Sequence, residues 1–247
     1  MEKQRQRKVN NRSGIVICGS YGLGNAGDES ILKAILQEVR TVAPAEEITV
    51  LSRNPEETKL CHGVRSLHMF DLPAIYRLMG RTKLYINGGG SLIQDVTSRR
   101  SLWYYLFTLR MAKRRGCKVL MYGCGIGPVK HPKDIARTRK TLNGCVDAIT
   151  LREDSSLKEL QRFGVTKPEI VLASDPALTL QRADEADIDR MMEQSGLAPH
   201  GAYLGICLRD WPGFAEKAPV FPAAVRYARS GHGLTPVFFS INHRSDG

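Results

Sequence analysis

Apolar and polar positions along the chain follow two periods that take turns. Ile15 to Cys18 is an unbroken apolar run of strand length. From Asp28 to Val42 the apolar positions Ile31, Leu32, Ile35, Leu36 and Val39 recur at helical spacing, which gives one buried face. The same change of period continues. It predicts strands at Gly14–Cys18, Ile48–Leu51, Lys83–Ile86, Lys118–Tyr122, Ala148–Leu151 and Ile170–Leu172. Between them it predicts helices at Asp28–Val42, near Pro55–Cys61, and at Pro73–Met79, Arg99–Arg115, Lys133–Asn143 and Ser155–Arg162. Apolar strands separated by amphipathic helices make a parallel sheet covered on both faces. The expected fold is therefore α/β, a doubly wound Rossmann-like parallel sheet over residues 14–182. Residues 1–13 are polar and basic and are expected to be a disordered lead-in. Residues 183–247 offer helix Ala186–Ser195, strand Ala202–Leu208, helix Val220–Ser230 and strand Pro236–Ile241. Two strands bury too little surface to stand alone, so this second Rossmann-like domain reads as truncated.

The loops after the strands carry the candidate chemistry. Glycines stand at 19, 22, 24 and 27, just ahead of the first helix. They let backbone approach a ligand, and the helix start presents free N–H groups to an anion. Gly22-Leu-Gly24-Asn-Ala-Gly27 also fits the dinucleotide pattern. However, Asp28 and Glu29 would repel a pyrophosphate, and the second strand ends in Ser52-Arg53, not in the acid that holds an NAD ribose. An arginine there suits NADP, so a dehydrogenase is disfavoured, not excluded. Both acids also read simply as complements to the helix dipole.

Asn87-Gly88-Gly89-Gly90-Ser91 follows the third of these strands. It suits an anion-binding nest or a sharp turn. Gly123-Cys-Gly-Ile-Gly127-Pro128 gives similar room after the next strand, for a ligand or for close packing. Arg152 ends the strand Ala148–Leu151, where a guanidinium can clamp a carboxylate or phosphate; the alternative is a salt bridge to Glu153 or another acid. Asp175-Pro176 reads as a turn or helix cap. Arg209 ends the strand of Gly205-Ile-Cys-Leu in the manner of Arg152.

Composition narrows the classes. Hydrophobic residues make up 42% and charged residues 25%, an ordinary globular balance. No apolar run reaches the ~20 residues of a membrane span, and residues 1–13, which have no apolar h-region, are not expected to be a secretion signal. The net charge of +11 suits anionic substrates or an anionic membrane surface. Its clusters lack the interleaved aromatics of a nucleic-acid motif, so no nucleic-acid partner is expected. Six cysteines form no C-x-x-C pair and six histidines lack ligand spacing. The expectation is a reducing, cytoplasmic setting with no metal. Cys18, Cys124 and Cys207 are expected to be small buried hydrophobes.

Taken in order, these pieces resemble one family. Gly-Ser-Tyr-Gly-Leu-Gly-Asn-Ala-Gly-Asp-Glu-Ser-Ile-Leu (19–32) and Gly-Gly-Gly-Ser-Leu-Ile-Gln-Asp-Val-Thr-Ser (88–98), with Ser101-Leu-Trp-Tyr-Tyr, look like two signatures of the bacterial polysaccharide pyruvyl transferases. Gly123–Pro128, Ile149–Ser156, Ser174–Ala177 and Gly205–Trp211 follow in the family's order. The likeness spans residues 14–211 and is greatest to the branch that pyruvylates a secondary cell-wall polysaccharide anchoring surface-layer proteins. It implies a GT-B-like two-domain architecture with the active site between domains. It implies phosphoenolpyruvate as donor, a lipid-linked sugar or polysaccharide as acceptor, no cofactor, and work at the inner face of the membrane. Carried over by position, Arg152 would bind phosphoenolpyruvate, and Gly24, Asn25, Gly89, Gly90, Ser91 and Arg209 would line the substrate site. Asp28 would be the catalytic group that orients acceptor hydroxyls. The family's second domain carries a histidine and a lysine for the donor; the chain ends before those motifs, and His243 matches neither. The likeness therefore also implies no turnover by this chain alone. Two other readings stay open: a GT-B glycosyltransferase using a nucleotide sugar, and a non-catalytic Rossmann-like binding module.

Overall fold

The computed structural model describes residues 12–208 and 213–242. The chain divides into two compact units. The first takes in the residues up to Leu23 and Gly27–Leu180; the second takes in Gly24–Ala26 and the residues from Gln181 onward.

The first unit runs β1 (Ile15–Cys18), α1 (Ala26–Val42), β2 (Ile48–Ser52), α2 (Pro55–His62), β3 (Arg65–His68), α3 (Leu72–Met79) and β4 (Leu84–Ile93). It continues with α4 (Arg99–Arg114), β5 (Lys118–Ile126), α5 (Pro132–Cys145), β6 (Ala148–Leu151), α6 (Asp154–Phe163) and β7 (Glu169–Leu172). The seven strands form one sheet in the order β3-β2-β1-β4-β5-β6-β7, and every neighbouring pair is parallel. This is the doubly wound α/β sheet that the alternating periods predict.

Strand alternation sorts the core into two layers. Ile15 and Ile17 pack with Val50, Ile86 and the apolar face of α1. Val16 and Cys18 point the other way, into a layer built with Ile75 and Met79 of α3, Leu102, Leu106 and Leu109 of α4, Leu142 of α5, and Leu160 and Phe163 of α6. Side-chain caps fix several helix starts: Asn54, Asp71 and Ser98 accept from the backbone N–H groups of Glu57, Ala74 and Ser101. Such caps satisfy donors the helix leaves open. Arg12, expected in the disordered lead-in, is instead tied down. Its guanidinium donates to the carbonyls of Arg115 at 2.6 Å, Thr82 at 3.1 Å and Met79 at 3.3 Å.

Three features differ from the sequence reading. β3 is an edge strand whose Arg-Ser-Leu-His gives no apolar run, and its residues are half-buried or exposed. β4 and β5 continue into their glycine segments as far as Ile93 and Ile126, so Gly88–Ser91 and Gly123–Ile126 lie within strands. α1 begins at Ala26, two residues before Asp28.

The second unit contains α7 (Glu185–Gln194), α8 (Phe214–Lys217) and α9 (Val220–His232). Its strands β8 (Tyr203–Ile206) and β9 (Thr235–Phe238) pair in parallel. Among its described residues Ala228 is the buried apolar side chain. Cys207, expected to be buried, is exposed, because among the described residues β8 pairs with β9 alone.

Candidate functional site

Strand order reverses between β1 and β4, and in doubly wound sheets ligands bind beyond the carboxyl ends of the strands at that switch point. The segment after β1 is held there by specific contacts. The Tyr21 hydroxyl donates to the Gly88 carbonyl at 2.7 Å. The Gly22 N–H donates to Glu29 Oε1 at 2.7 Å, and Glu29 Oε2 lies 3.3 Å from His62 Nε2. Gly22 has φ +72°, and a Cβ there would sit 2.1 Å from Ser52 Oγ. Glu29 thus does more than complement the helix dipole: it ties the glycine loop to α1 and α2.

On the facing strand, Gly89 and Gly90 adopt φ of +62° and +68°, and the register of β4 against β5 shifts between Gly90 and Ile93. The three glycines therefore do not form the nest beyond the strand that the sequence suggests. They form an irregular stretch within it, pressed against α1. A Cβ on Gly89 would lie 2.0 Å from Ile31 Cγ2. At Gly90 the nearest atom to such a Cβ would be Asp28 Oδ1, at 3.4 Å. Close approach of the helix requires glycine at Gly89, and at Gly90 the positive φ favours it.

The next residue, Ser91, is exposed, and its hydroxyl accepts from Arg152 Nη2 at 3.3 Å. Arg152 Nη1 donates to Asp175 Oδ2 at 2.8 Å, and Glu153 Oε2 is 3.9 Å from its Nε. The other oxygen of Asp175 caps the short turn Pro176–Thr179 through the Ala177 N–H. A Cβ at Gly125 would stand 2.5 Å from Ser91 Oγ and 3.1 Å from Arg152 Nε, so β5 must be bare where the guanidinium crosses it. Around the end of β4 the fold thus gathers Asp28, Gly89, Gly90, Ser91 and Arg152, five of the residues singled out in the sequence. Gly24 and Asn25 group with the second unit, where Asn25 forms an isolated antiparallel bridge with Asn242. Arg209 and His243 lie outside the described residues.

The arrangement has a fixed cation, a hydroxyl, a carboxylate at a helix start and close-packed backbone. Two buried groups beside it are not available for acid–base work near neutrality. Burial pushes the Cys124 thiol up to about 12, against the lowering effects of the Gly89 backbone and the Arg152 charge. Burial likewise raises Tyr21 well above its ordinary value, helped by the charges of Cys18 and Asp28. Asn87, fully buried on β4, has no hydrogen-bond partner for either side-chain polar atom among the described residues. A polar residue ending the otherwise apolar Leu-Tyr-Ile run was the signal for it. Asp175 was visible as a cap, but its pairing with Arg152 depends on how the sheet folds. Among the described residues, no three His, Cys, Asp or Glu side chains are grouped to hold a metal.

A family model described as polysaccharide pyruvyl transferase matches residues 25–245. Among solved structures, Anabaena Alr3699/HepE in complex with UDP aligns with a TM-score of 0.51 at 10% identity, covering 92% of this chain and 69% of that one. The same protein with UDP and glucose gives 0.50 at 10% identity, over 93% and 70%. A glycosyltransferase from Rickettsia africae ESF-5 gives 0.50 at 10%, over 92% and 69%. These likenesses concern the fold, which is that of GT-B-like glycosyltransferases. A comparison with curated proteins finds no match.

Proposed function

The chain belongs to the polysaccharide pyruvyl transferase family, and on that premise we propose that it serves to transfer the pyruvyl group of phosphoenolpyruvate to two hydroxyls of a sugar in a cell-wall polysaccharide precursor. The product is a cyclic ketal, as in the branch that modifies surface-layer anchoring polysaccharides. The observation that carries the reading is the family match over residues 25–245.

The chemistry asks for groups of the kind found around β4. A proton added to the methylene carbon of phosphoenolpyruvate leaves cation character at C2. A sugar hydroxyl attacks C2 and gives its proton to a base. Phosphate then departs, and a second hydroxyl of the sugar bonds to the same carbon, its proton leaving with the phosphate. Arg152 holds the donor's phosphate or carboxylate, with Asp175 and Ser91 orienting the guanidinium. Asp28 orients or deprotonates an acceptor hydroxyl. Gly89, Gly90 and Ser91 line the substrate site in the first unit, and the family likeness adds Gly24, Asn25 and Arg209 as further substrate-binding residues. No cofactor takes part. The acceptor is carried on a lipid, so the reaction runs in the cytoplasm at the inner membrane face.

Thermal shift tests the reading. Phosphoenolpyruvate at a hundredfold excess over its dissociation constant stabilises by about 2.7 kcal/mol, which raises the melting temperature by roughly 5–10 °C. Arg152→Ala removes a charge-assisted contact of about 1.5–3 kcal/mol and weakens that binding ten- to a hundredfold. Stabilisation by UDP-glucose and not by phosphoenolpyruvate would move the chain to the nucleotide-sugar reading. Stabilisation by neither would leave a binding module of another kind.

A further inference from the structure

Charge is unevenly distributed along the first unit. Residues 99–140 hold 12 of the 36 Lys and Arg residues and one of the 25 Asp and Glu residues. That segment therefore carries +11, the net charge of the whole chain, and everything outside it is balanced. It takes in α4, β5 and most of α5, and the two helices pack side by side.

The single acid of the segment is turned inward. Asp134 is fully buried and accepts from Arg99 Nε at 2.8 Å, Trp103 Nε1 at 2.9 Å and Arg137 Nη1 at 3.2 Å. Its carboxylate therefore adds no negative charge to the surface. Arg100 and Arg114 on α4, and Lys133 and Lys140 on α5, are exposed and pair with no carboxylate among the described residues. Two large apolar side chains stand among these cations, one turn apart on α4: Trp103, 41% exposed, and Phe107, 46% exposed. The apolar stripe of α4 is buried in the core, and its outer surface, with arginine and lysine around two exposed aromatics, suits contact with anionic headgroups. Phe107 and the exposed edge of Trp103 can meet the headgroup boundary, and the long basic side chains reach the lipid phosphates.

We propose that the outer face of α4 and α5 docks the protein on an anionic phospholipid bilayer. Base stacking by nucleic acid, the competing use of such a surface, needs a bare ring face. The Trp103 ring already carries the guanidinium groups of Arg99 at 5.1 Å and Arg137 at 5.3 Å. The proposal deepens the functional reading, because a lipid-linked acceptor lies on that bilayer. Its test measures no turnover, so the two can fail separately.

The test is cosedimentation of the purified 247-residue chain with vesicles of phosphatidylcholine alone, and with about one-third phosphatidylglycerol. Binding is expected to the anionic vesicles only, and to fall as salt is raised. Lys133→Gln and Lys140→Gln should each weaken it about fivefold, and Phe107→Ser should weaken it further at low salt. All three variants should keep the parent's melting temperature and its response to phosphoenolpyruvate. Equal binding to neutral vesicles, no vesicle binding, or variants that bind like the parent would overturn the proposal. So would tighter binding to a labelled RNA oligonucleotide that the same variants abolish.

Discussion

Replacing Gly89 by alanine tests the claim that the β4 glycines exist for packing. The residue has φ +62°, a conformation that costs an alanine about 1–2 kcal/mol relative to glycine. The new methyl would sit 2.0 Å from Ile31 Cγ2 and 3.2 Å from its Cβ. Ile31 cannot swing aside, because a β-branched side chain in a helix has one strongly preferred χ1 and Ile31 is buried within α1's core face. Helix and strand must separate instead, and overpacking of this kind costs about 1–3 kcal/mol. Gly89→Ala should thus lose about 2–5 kcal/mol in urea unfolding, which is a large share of a typical domain's ~5–15 kcal/mol. A double-mutant cycle isolates the clash. An Ile31→Ala background removes the 2.0 Å contact and leaves only the Cβ at 3.2 Å, so Gly89→Ala should then cost little beyond the backbone strain of about 1–2 kcal/mol. A single variant within ~0.5 kcal/mol of the parent, or additive costs in the double variant, would refute the packing argument.

Asp134→Asn should destabilise the first unit by about 1.5–3 kcal/mol, since it takes charge-assisted bonds from Arg99 and Arg137. Burial pushes this carboxylate up, yet the hydrogen bonds from Trp103 and Arg99 and the charges of Arg99 and Arg137 together hold it below its ordinary value. A depressed carboxylate stabilises fully above its unfolded pKa of ~4 and loses that contribution as pH falls through its folded value. The gap between parent and Asp134→Asn should therefore be constant at neutral pH and shrink in acid. A gap that grows in acid would contradict the sign. Thiol titration of the native chain at pH ~8 should find Cys61 and Cys207 reacting first, since both are exposed. Burial raises Cys18 to about 11 and Cys124 to about 12, so they stay protonated and react only on unfolding. Fast labelling of Cys124 would show that β5 opens. Arg12→Ala removes a guanidinium bound to three carbonyls and should cost about 1.5–3 kcal/mol; an unchanged unfolding midpoint would show that the contact contributes nothing net.

What could be read in the sequence depended on whether position along the chain or position in space carried the information. β1, β2 and α1 were plain because their burial is complete or strictly one-sided, which is what periodicity encodes. β3 was missed because an edge strand buries little and leaves no apolar run. The glycine stretches of β4 and β5 look like loops in the sequence because glycine ordinarily interrupts a strand. Here Gly88, Gly89 and Gly125 clear space for Ile35, Ile31, Ser91 and Arg152, partners that only the assembled sheet supplies. Of the candidate site, Arg152, Ser91, Gly89 and Gly90 stand out by strand-end position and Asp28 by its helix start and the family likeness, and the fold brings them together around β4. Asp175's hold on Arg152 spans 23 residues and Asp134's hold on Trp103 spans 31. Neither pairing leaves a periodic trace.

The order of the strands also sets a timetable for synthesis. β1 pairs on one side with β2, which follows it closely, but its other neighbour is β4, beginning at Leu84. A ribosome adding ~5–20 residues per second needs several seconds to pass from Cys18 to the end of β4. Throughout that interval the four fully buried residues of β1 present an apolar, unpaired edge, the kind of surface on which nascent chains stick to one another. The site cannot form earlier either, since Tyr21 has no Gly88 carbonyl to bind until that strand arrives. Slower translation between residues 19 and 93 should lower the soluble yield, and a chaperone that shields short apolar segments should restore it.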